Sequence, residues 1–381
     1  MFVIYLPFIV YYFQELGFNL GQIAILQSVM AITLLVFEIP SGYIADKFGR
    51  KNSLILSSIF RIVSMSLLFS AESYFLLVLS HVFLGASNAF ISGADSAFLY
   101  DTLLMLKKEN EYKKKEGKAK FFAEIAIIIS AVLGSFMISF GIYYTILISI
   151  IAQIILLLIL LTLREPKLHR KIEAIPLKKE IIKIFHIIKQ SLYNKKLMGF
   201  FIYSFVVLGV SNTIFSMYQP YFRATELPLF FYGIIFAVFS VFTAFASLKA
   251  HDIEHNLGMY KSLLIMPLFL VIALIGSSMF FVWIGLIFFF FRELVRGFIF
   301  PVLGDYVNKI AKSEERATVL SILSIFSRLG LVVIVTSFGF FSDSYGLQHS
   351  LFVTGIALLG FTILAVLFVK FKLNKNVIKG N

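Results

Sequence analysis

The sequence contains no cysteine, which excludes disulfides, iron–sulfur clusters and thiolate zinc sites and leaves the compartment open. It is also poor in charge. Asp, Glu, Lys and Arg make up 14% of the 381 residues, against about 25% in a soluble domain, while 59% are hydrophobic. Too few charges are present to cover a surface in water, so an ordinary water-soluble enzyme is excluded. The chain lacks a G-x-x-x-x-G-K-[ST] loop, so ATP-driven work is unsupported. It also lacks any set of nucleophile, base and metal ligands, and no enzymatic activity is expected. His251, Glu254 and His255 match an H-x-x-E-H zinc spacing but fall in a short solvated loop without a third ligand, so neither metal nor cofactor is expected. Acids are scarcer than bases, 21 against 34, and the placement of the resulting +13 decides its meaning.

What the chain has in abundance is long apolar runs. Twelve are long enough to approach the ~30 Å of a bilayer core at ~1.5 Å per helical residue. They lie near 1–16, 21–44, 52–70, 74–101, 119–141, 143–163, 197–222, 229–248, 259–277, 280–306, 317–341 and 347–369. The first gives only ~24 Å of helix, which suggests a start upstream of Met1 or a frayed inner end. With the N-terminus in the cytoplasm, 29 of the 34 Lys and Arg fall on the cytoplasmic side, four lie within spans and Arg223 alone lies outside. Basic residues are retained inside during insertion, so a multi-pass plasma-membrane protein with both termini cytoplasmic is predicted. The positive charge is then a surface facing anionic lipid, and nucleic acid is not an expected partner.

The polar stretch 164–196 divides the spans six and six, which predicts an N-terminal bundle 1–163, a cytoplasmic linker 164–196 and a C-terminal bundle 197–381. Within the linker Ile181, Ile184, Phe185, Ile188 and Leu192 recur at helical spacing opposite four lysines, the pattern of an amphipathic helix on the inner leaflet. The halves echo each other. Gly49 to Leu54 aligns with Gly258 to Leu263, and Leu133-Gly134 with Leu329-Gly330. Six plus six with a repeat suggests two bundles rocking about a midplane site.

The loop after the second span reads Gly42-Tyr43-Ile44-Ala45-Asp46-Lys47-Phe48-Gly49-Arg50-Lys51. This resembles the G-x-x-x-D-[RK]-x-G-[RK]-[RK] signature of the major facilitator superfamily with every anchor position filled. The resemblance implies an all-α membrane protein of twelve transmembrane helices in two pseudo-symmetric six-helix bundles. It further implies that Gly42, Asp46, Gly49, Arg50 and Lys51, together with the acid Asp101 at the inner end of the fourth span, form a latch onto the N-terminus of the eleventh helix. Phe37 to Gly42, Ser92 to Asp95 and Arg316 to Ser321 also look like bacterial members. The fifth span offers only Gly134 and no proline, unlike the glycine-rich pattern of drug antiporters, and His81 stands where the family's R-x-x-x-G element has arginine.

Charges within spans cost ~2.5–3.5 kcal/mol each on insertion scales and need a partner or water. On the fourth span His81, Gly85, Asn88, Ser92 and Asp95 share one helical face, which family resemblance makes part of a cavity wall. His81, Asp95 and Glu293 are the candidate proton carriers, with helix-packing hydrogen bonds as the competing role. Arg292, Glu293 and Arg296 on the tenth span and Arg328 on the eleventh leave a local surplus of guanidinium, suited to carboxylate or phosphate. Asn212, Ser216 and Gln219 form a second polar stripe on the seventh span, faced by Tyr12. With Asn88 and Ser92 these are candidate solute contacts. Arg61 is expected in a structural ion pair with Glu38, and Glu124 as a capping or gating acid.

The expected function is a secondary transporter of a small organic anion or zwitterion, acting by alternating access, proton-coupled and functional as a monomer. Multidrug efflux by proton antiport and a non-transporting receptor or scaffold are the alternatives.

Overall fold

The computed structural model describes residues 3–166, 189–311 and 316–373. The amphipathic stretch expected around Ile181 to Ile188 lies outside the described residues. All regular structure among the described residues is helical.

The chain divides into two compact units. Unit 1 comprises Met1–Phe18, Gln22–Lys195 and Pro228–Val238, and unit 2 comprises Asn19–Gly21, Lys196–Leu227 and Phe239–Asn381. Among the described residues, ten helices are long and apolar enough to cross a membrane. The other two expected spans fail for opposite reasons. The first, Ile9–Glu15, is short, and the tenth, Phe289–Ile310, carries Arg292, Glu293, Arg296, Asp305 and Lys309.

In unit 1 the second helix (Leu20–Phe48) runs unbroken through Gly42 and Asp46, so the turn of the signature motif is confined to Gly49, at φ +100°. Gly42 is helical, with open space where a Cβ would stand.

The third helix (Arg50–Phe69) packs on the fourth (Tyr74–Ile91) through a ladder of serines. Ser57 and Ser87 each donate to the other's carbonyl, at 2.9 and 2.8 Å, Ser80 donates to the Ser64 carbonyl at 2.8 Å, and Ser53 to that of Phe90 at 2.7 Å. Lipid supplies no hydrophobic force between helices, so small side chains and hydrogen bonds of this kind hold them together. The fourth span is not one helix. It stops at Ile91, turns through Gly93 at φ +75° and restarts as Ala94–Met105.

The fifth helix (Tyr112–Met137) brings Gly134 so close to the first segment that a Cβ would stand 2.6 Å from the Ile4 carbonyl oxygen. The sixth helix, Ile142–Thr162, completes the unit's main helices and joins the third through Gln153 Nε2, which donates to Ser58 Oγ at 2.9 Å.

Unit 2 reuses these devices. The helical run Phe230–Met279, in unit 2 from Phe239 on, is interrupted at Gly258, φ +74°, the residue aligned with Gly49, which divides it into the eighth and ninth helices. The seventh helix is assembled from Lys195–Tyr203, a π turn Ser204–Leu208 and Gly209–Ala224. Opposite the π turn, Gly330 of the eleventh helix (Arg316–Tyr345) lies against the Phe205 backbone, where a Cβ would run into the carbonyl oxygen. Gly134 and Gly330, aligned in sequence, thus each admit a neighbouring backbone carbonyl, that of Ile4 in the turn before the first helix and that of Phe205 in the π turn. The twelfth helix is Leu347–Leu373.

Gly330→Ala is expected to destabilise the protein by about 2 kcal/mol or more, because the methyl meets backbone rather than a movable side chain. Gly360→Ala, with nothing within 4 Å of its Cβ position, is the control expected to leave thermal unfolding in detergent unchanged.

Candidate functional site

The charged residues of the tenth helix form a cluster inside unit 2. Arg292 and Glu293 are 3% and 1% exposed, whereas Arg296, one turn on, is 34% exposed. Glu293 Oε1 accepts from Arg292 Nη1 and from the Tyr218 hydroxyl, both at 2.6 Å. Its Oε2 accepts from Thr243 Oγ1 at 2.5 Å and meets Arg296 Nη1 at 3.5 Å.

One carboxylate is therefore shared by two guanidinium groups and two hydroxyls. Two cations on one anion leave the cluster with net charge +1. Arg292 is held further by donating from Nε to the Ser211 carbonyl at 3.0 Å, and its guanidinium lies 5.1 Å from the Phe215 ring centre and 5.7 Å from that of Tyr218. Phe239 and Phe289 close around Tyr218, at 4.9 and 4.8 Å. Thr243 can reach the carboxylate because Gly297 lets the eighth and tenth helices touch; a Cβ on Gly297 would collide with the Thr243 carbonyl oxygen.

The two arginines of the cluster are held unequally. Arg292 is locked by a carboxylate, a carbonyl and two rings. Among the described residues Arg296 makes one loose contact, and its side chain is partly open. Glu293, expected among the proton carriers, accepts three hydrogen bonds on its two oxygens and has Arg296 Nη1 at 3.5 Å, so an incoming proton would compete with these donors and with two guanidinium charges.

The seventh helix contributes differently from expectation. The face turned to the tenth helix is Ser211, Phe215 and Tyr218, one residue out of phase with the expected Asn212 and Ser216. Ser216 Oγ donates to the carbonyl of Asn212 at 3.1 Å, and Gln219 is buried. A backbone carbonyl and aromatic rings make this face, and neither registers in a search for polar side chains. Arg328 is half-buried in the middle of the eleventh helix.

In unit 1 several expectations need correction. The stripe on the fourth span is interrupted at Ser92 and Gly93, so Asp95 does not continue the face of His81. It is exposed at the start of the next segment and accepts the amide of Ser96 at 2.7 Å. His81 is buried, with Nδ1 2.8 Å from the Leu77 carbonyl oxygen and its ring 5.7 Å from Phe13. Gly85 faces the second helix, its Cβ position 2.5 Å from the Met30 carbonyl oxygen.

Arg61 makes no ion pair with Glu38. It donates to Ser87 Oγ at 3.2 Å and to Asn88 Oδ1 at 2.5 Å, because it is built into the serine ladder and the nearest acceptors are on the fourth helix. Asn88 is accordingly engaged with Arg61. Tyr12, expected as a solute contact, is buried within unit 1 and meets Tyr143 edge-on at 5.9 Å.

In the signature loop Asp46 and Arg50 pair at 2.5 Å, and Asp101 is half-buried near the inner end of the Ala94–Met105 segment. The H-x-x-E-H stretch, expected as a solvated loop, is helical, and Glu254 accepts from the Tyr306 hydroxyl at 2.6 Å. The serine ladder escaped the sequence reading, although Ser53, Ser57 and Ser64 recur there at helical spacing with Arg61 between them.

The fold and this geometry can be set beside known proteins. The sequence profile of the Major Facilitator Superfamily matches residues 1–333, and the chain belongs to that family. It is 23% identical over 97% of its length to YxaM, an MFS-type transporter of Bacillus subtilis, covering 93% of that protein. A transporter of Buchnera aphidicola is 30% identical over 30% of this chain and 28% of its own. Among solved structures, the nucleoside transporter NupG superposes with a TM-score of 0.79 at 15% identity, covering 95% of this chain and 93% of its own. The D-xylose-proton symporter superposes with a TM-score of 0.69 at 14% identity, covering 91% of this chain and 87% of its own. The protein is a multi-pass secondary transporter of the major facilitator fold, not an enzyme.

Glu293→Gln leaves two guanidinium groups, one of them fully buried, without a counter-charge and is expected to cost about 3–5 kcal/mol. Arg296→Ala removes a loose contact and is expected to cost ~1 kcal/mol or less. Thermal or denaturant unfolding of the detergent-solubilised protein distinguishes the two.

Proposed function

We propose that this transporter carries a small organic anion or zwitterion and that Arg296 is the group that meets its carboxylate or phosphate. The observation that carries this reading is the net positive cluster in which Arg296 alone is partly open and only loosely paired. Guanidinium presents a planar fork matched to either oxyanion. Arg292 is assigned to holding Glu293 in place.

Coupling to protons is assigned to Asp95. Of the three candidate carriers, His81 is packed against Phe13 and Glu293 is held by three hydrogen bonds and two guanidinium groups, whereas Asp95 is exposed and accepts from a neutral backbone amide. The retention of 29 of 34 basic residues on one side supports a plasma-membrane orientation with both termini cytoplasmic. The protein is read as a monomer, because each transport pathway of this fold lies within one chain.

Proteoliposomes with an imposed pH gradient, screened over anionic, neutral and cationic solutes, test the reading. Uptake of a carboxylate or phosphate solute is expected, falling about 100-fold in Arg296→Ala through loss of a charged hydrogen-bond partner. Asp95→Asn is expected to abolish the dependence on the pH gradient while leaving exchange intact. Undiminished anion uptake in Arg296→Ala, or a preference for cationic drugs, defeats the assignment.

A further inference from the structure

The third helix begins at Arg50, and the first amides of any helix lack an intrahelical acceptor. Gly49 has no side chain with which to cap them. The cap comes instead from Glu165, just past the sixth helix and 115 residues along the chain from Arg50. Glu165 Oε1 accepts the Arg50 amide and Oε2 the Lys51 amide, both at 2.7 Å. The carboxylate lies so close to Gly49 that a Cβ there would stand 2.7 Å from the Glu165 carboxyl carbon. Glycine is therefore needed at this position twice over, for φ +100° and for the approach of the acid.

The contact has a counterpart of opposite sign. Lys51 Nζ donates to the carbonyl of Leu161 at 2.9 Å, in the last turn of the sixth helix, where carbonyls lack intrahelical donors. An anion thus caps the start of one helix and a cation the end of its neighbour, each placed to complement a helix dipole. Arg50, its amide fixed by Glu165, is left with its side chain directed to Asp46.

We propose that Glu165 and Lys51 form a reciprocal pair of helix caps that clamps the signature loop to the sixth helix, with Glu165 the positioning residue that sets Arg50 against Asp46. The clamp lies wholly within unit 1 and does not depend on which solute is carried, so its test needs none.

Hydrogen exchange followed by mass spectrometry on the full chain in lipid nanodiscs reads the caps directly. The Arg50 and Lys51 amides are expected to be protected in the parent protein and to exchange at least ~10-fold faster in Glu165→Ala, with the helix beyond Leu54 unchanged. Glu165→Gln, nearly isosteric and retaining one acceptor oxygen, is expected to fall between the two, and it carries the test if the alanine variant does not fold.

Carbodiimide labelling of carboxylates then reads the positioning. Asp46 is expected to label several-fold faster in Glu165→Gln, while exposed Glu109 keeps its rate. Unprotected Arg50 and Lys51 amides in the parent, exchange that rises uniformly along the third helix, or unchanged Asp46 labelling would each overturn the proposal.

Discussion

The sharing of one buried carboxylate by two arginines organises unit 2. In lipid neither partner has water as an alternative, so each donor must find an acceptor within the protein. Glu293 meets that demand with both oxygens, and the requirement propagates outward. Tyr218 and Thr243 must stand on neighbouring helices at hydrogen-bond distance, Gly297 must be small for the eighth helix to approach, and the Ser211 carbonyl must be turned toward Arg292. Phe215, Phe239 and Phe289 then enclose the charged and hydroxyl groups. Removing the acid would strand two cations at once, and so it is the least replaceable residue of the cluster.

Elsewhere the helices are held by close backbone approach. Gly134 admits the Ile4 carbonyl and Gly330 that of Phe205, while serines stitch the third helix to the fourth. These are the contacts expected where lipid tails compete equally well for apolar side chains. That aligned glycines do the same work in the two halves, and that Gly49 and Gly258 share a positive φ, gives the weak sequence repeat a physical meaning.

Fold class was legible because it rests on properties that sum over many residues: apolar run length, the bias of basic residues and a motif whose anchors are all filled. What escaped was what residue identity does not encode. The acceptor for Arg292 Nε is a carbonyl, the break in the fourth span comes from the left-handed conformation of Gly93, and the acceptors of Arg61 are neutral groups one helix away. Glu165 carries no sequence signal because its partners are amides, and any residue but proline has an amide to offer.

The two arginines of the tenth helix separate structure from use. A buried ion pair is seldom explained by stability alone, since well-packed apolar residues of similar volume often serve as well or better. Arg292 is nonetheless explained by the fold, because it shares in holding Glu293, spans to the seventh helix and packs between rings. Arg296 is not explained in this way. Glu293 is already neutralised by Arg292, Arg296 adds one 3.5 Å contact, and a methionine could cover the same surface without a charge to solvate. A cation kept within a span at a cost of ~2.5–3.5 kcal/mol, while contributing so little to packing, is what the proposed contact with an anionic solute would account for.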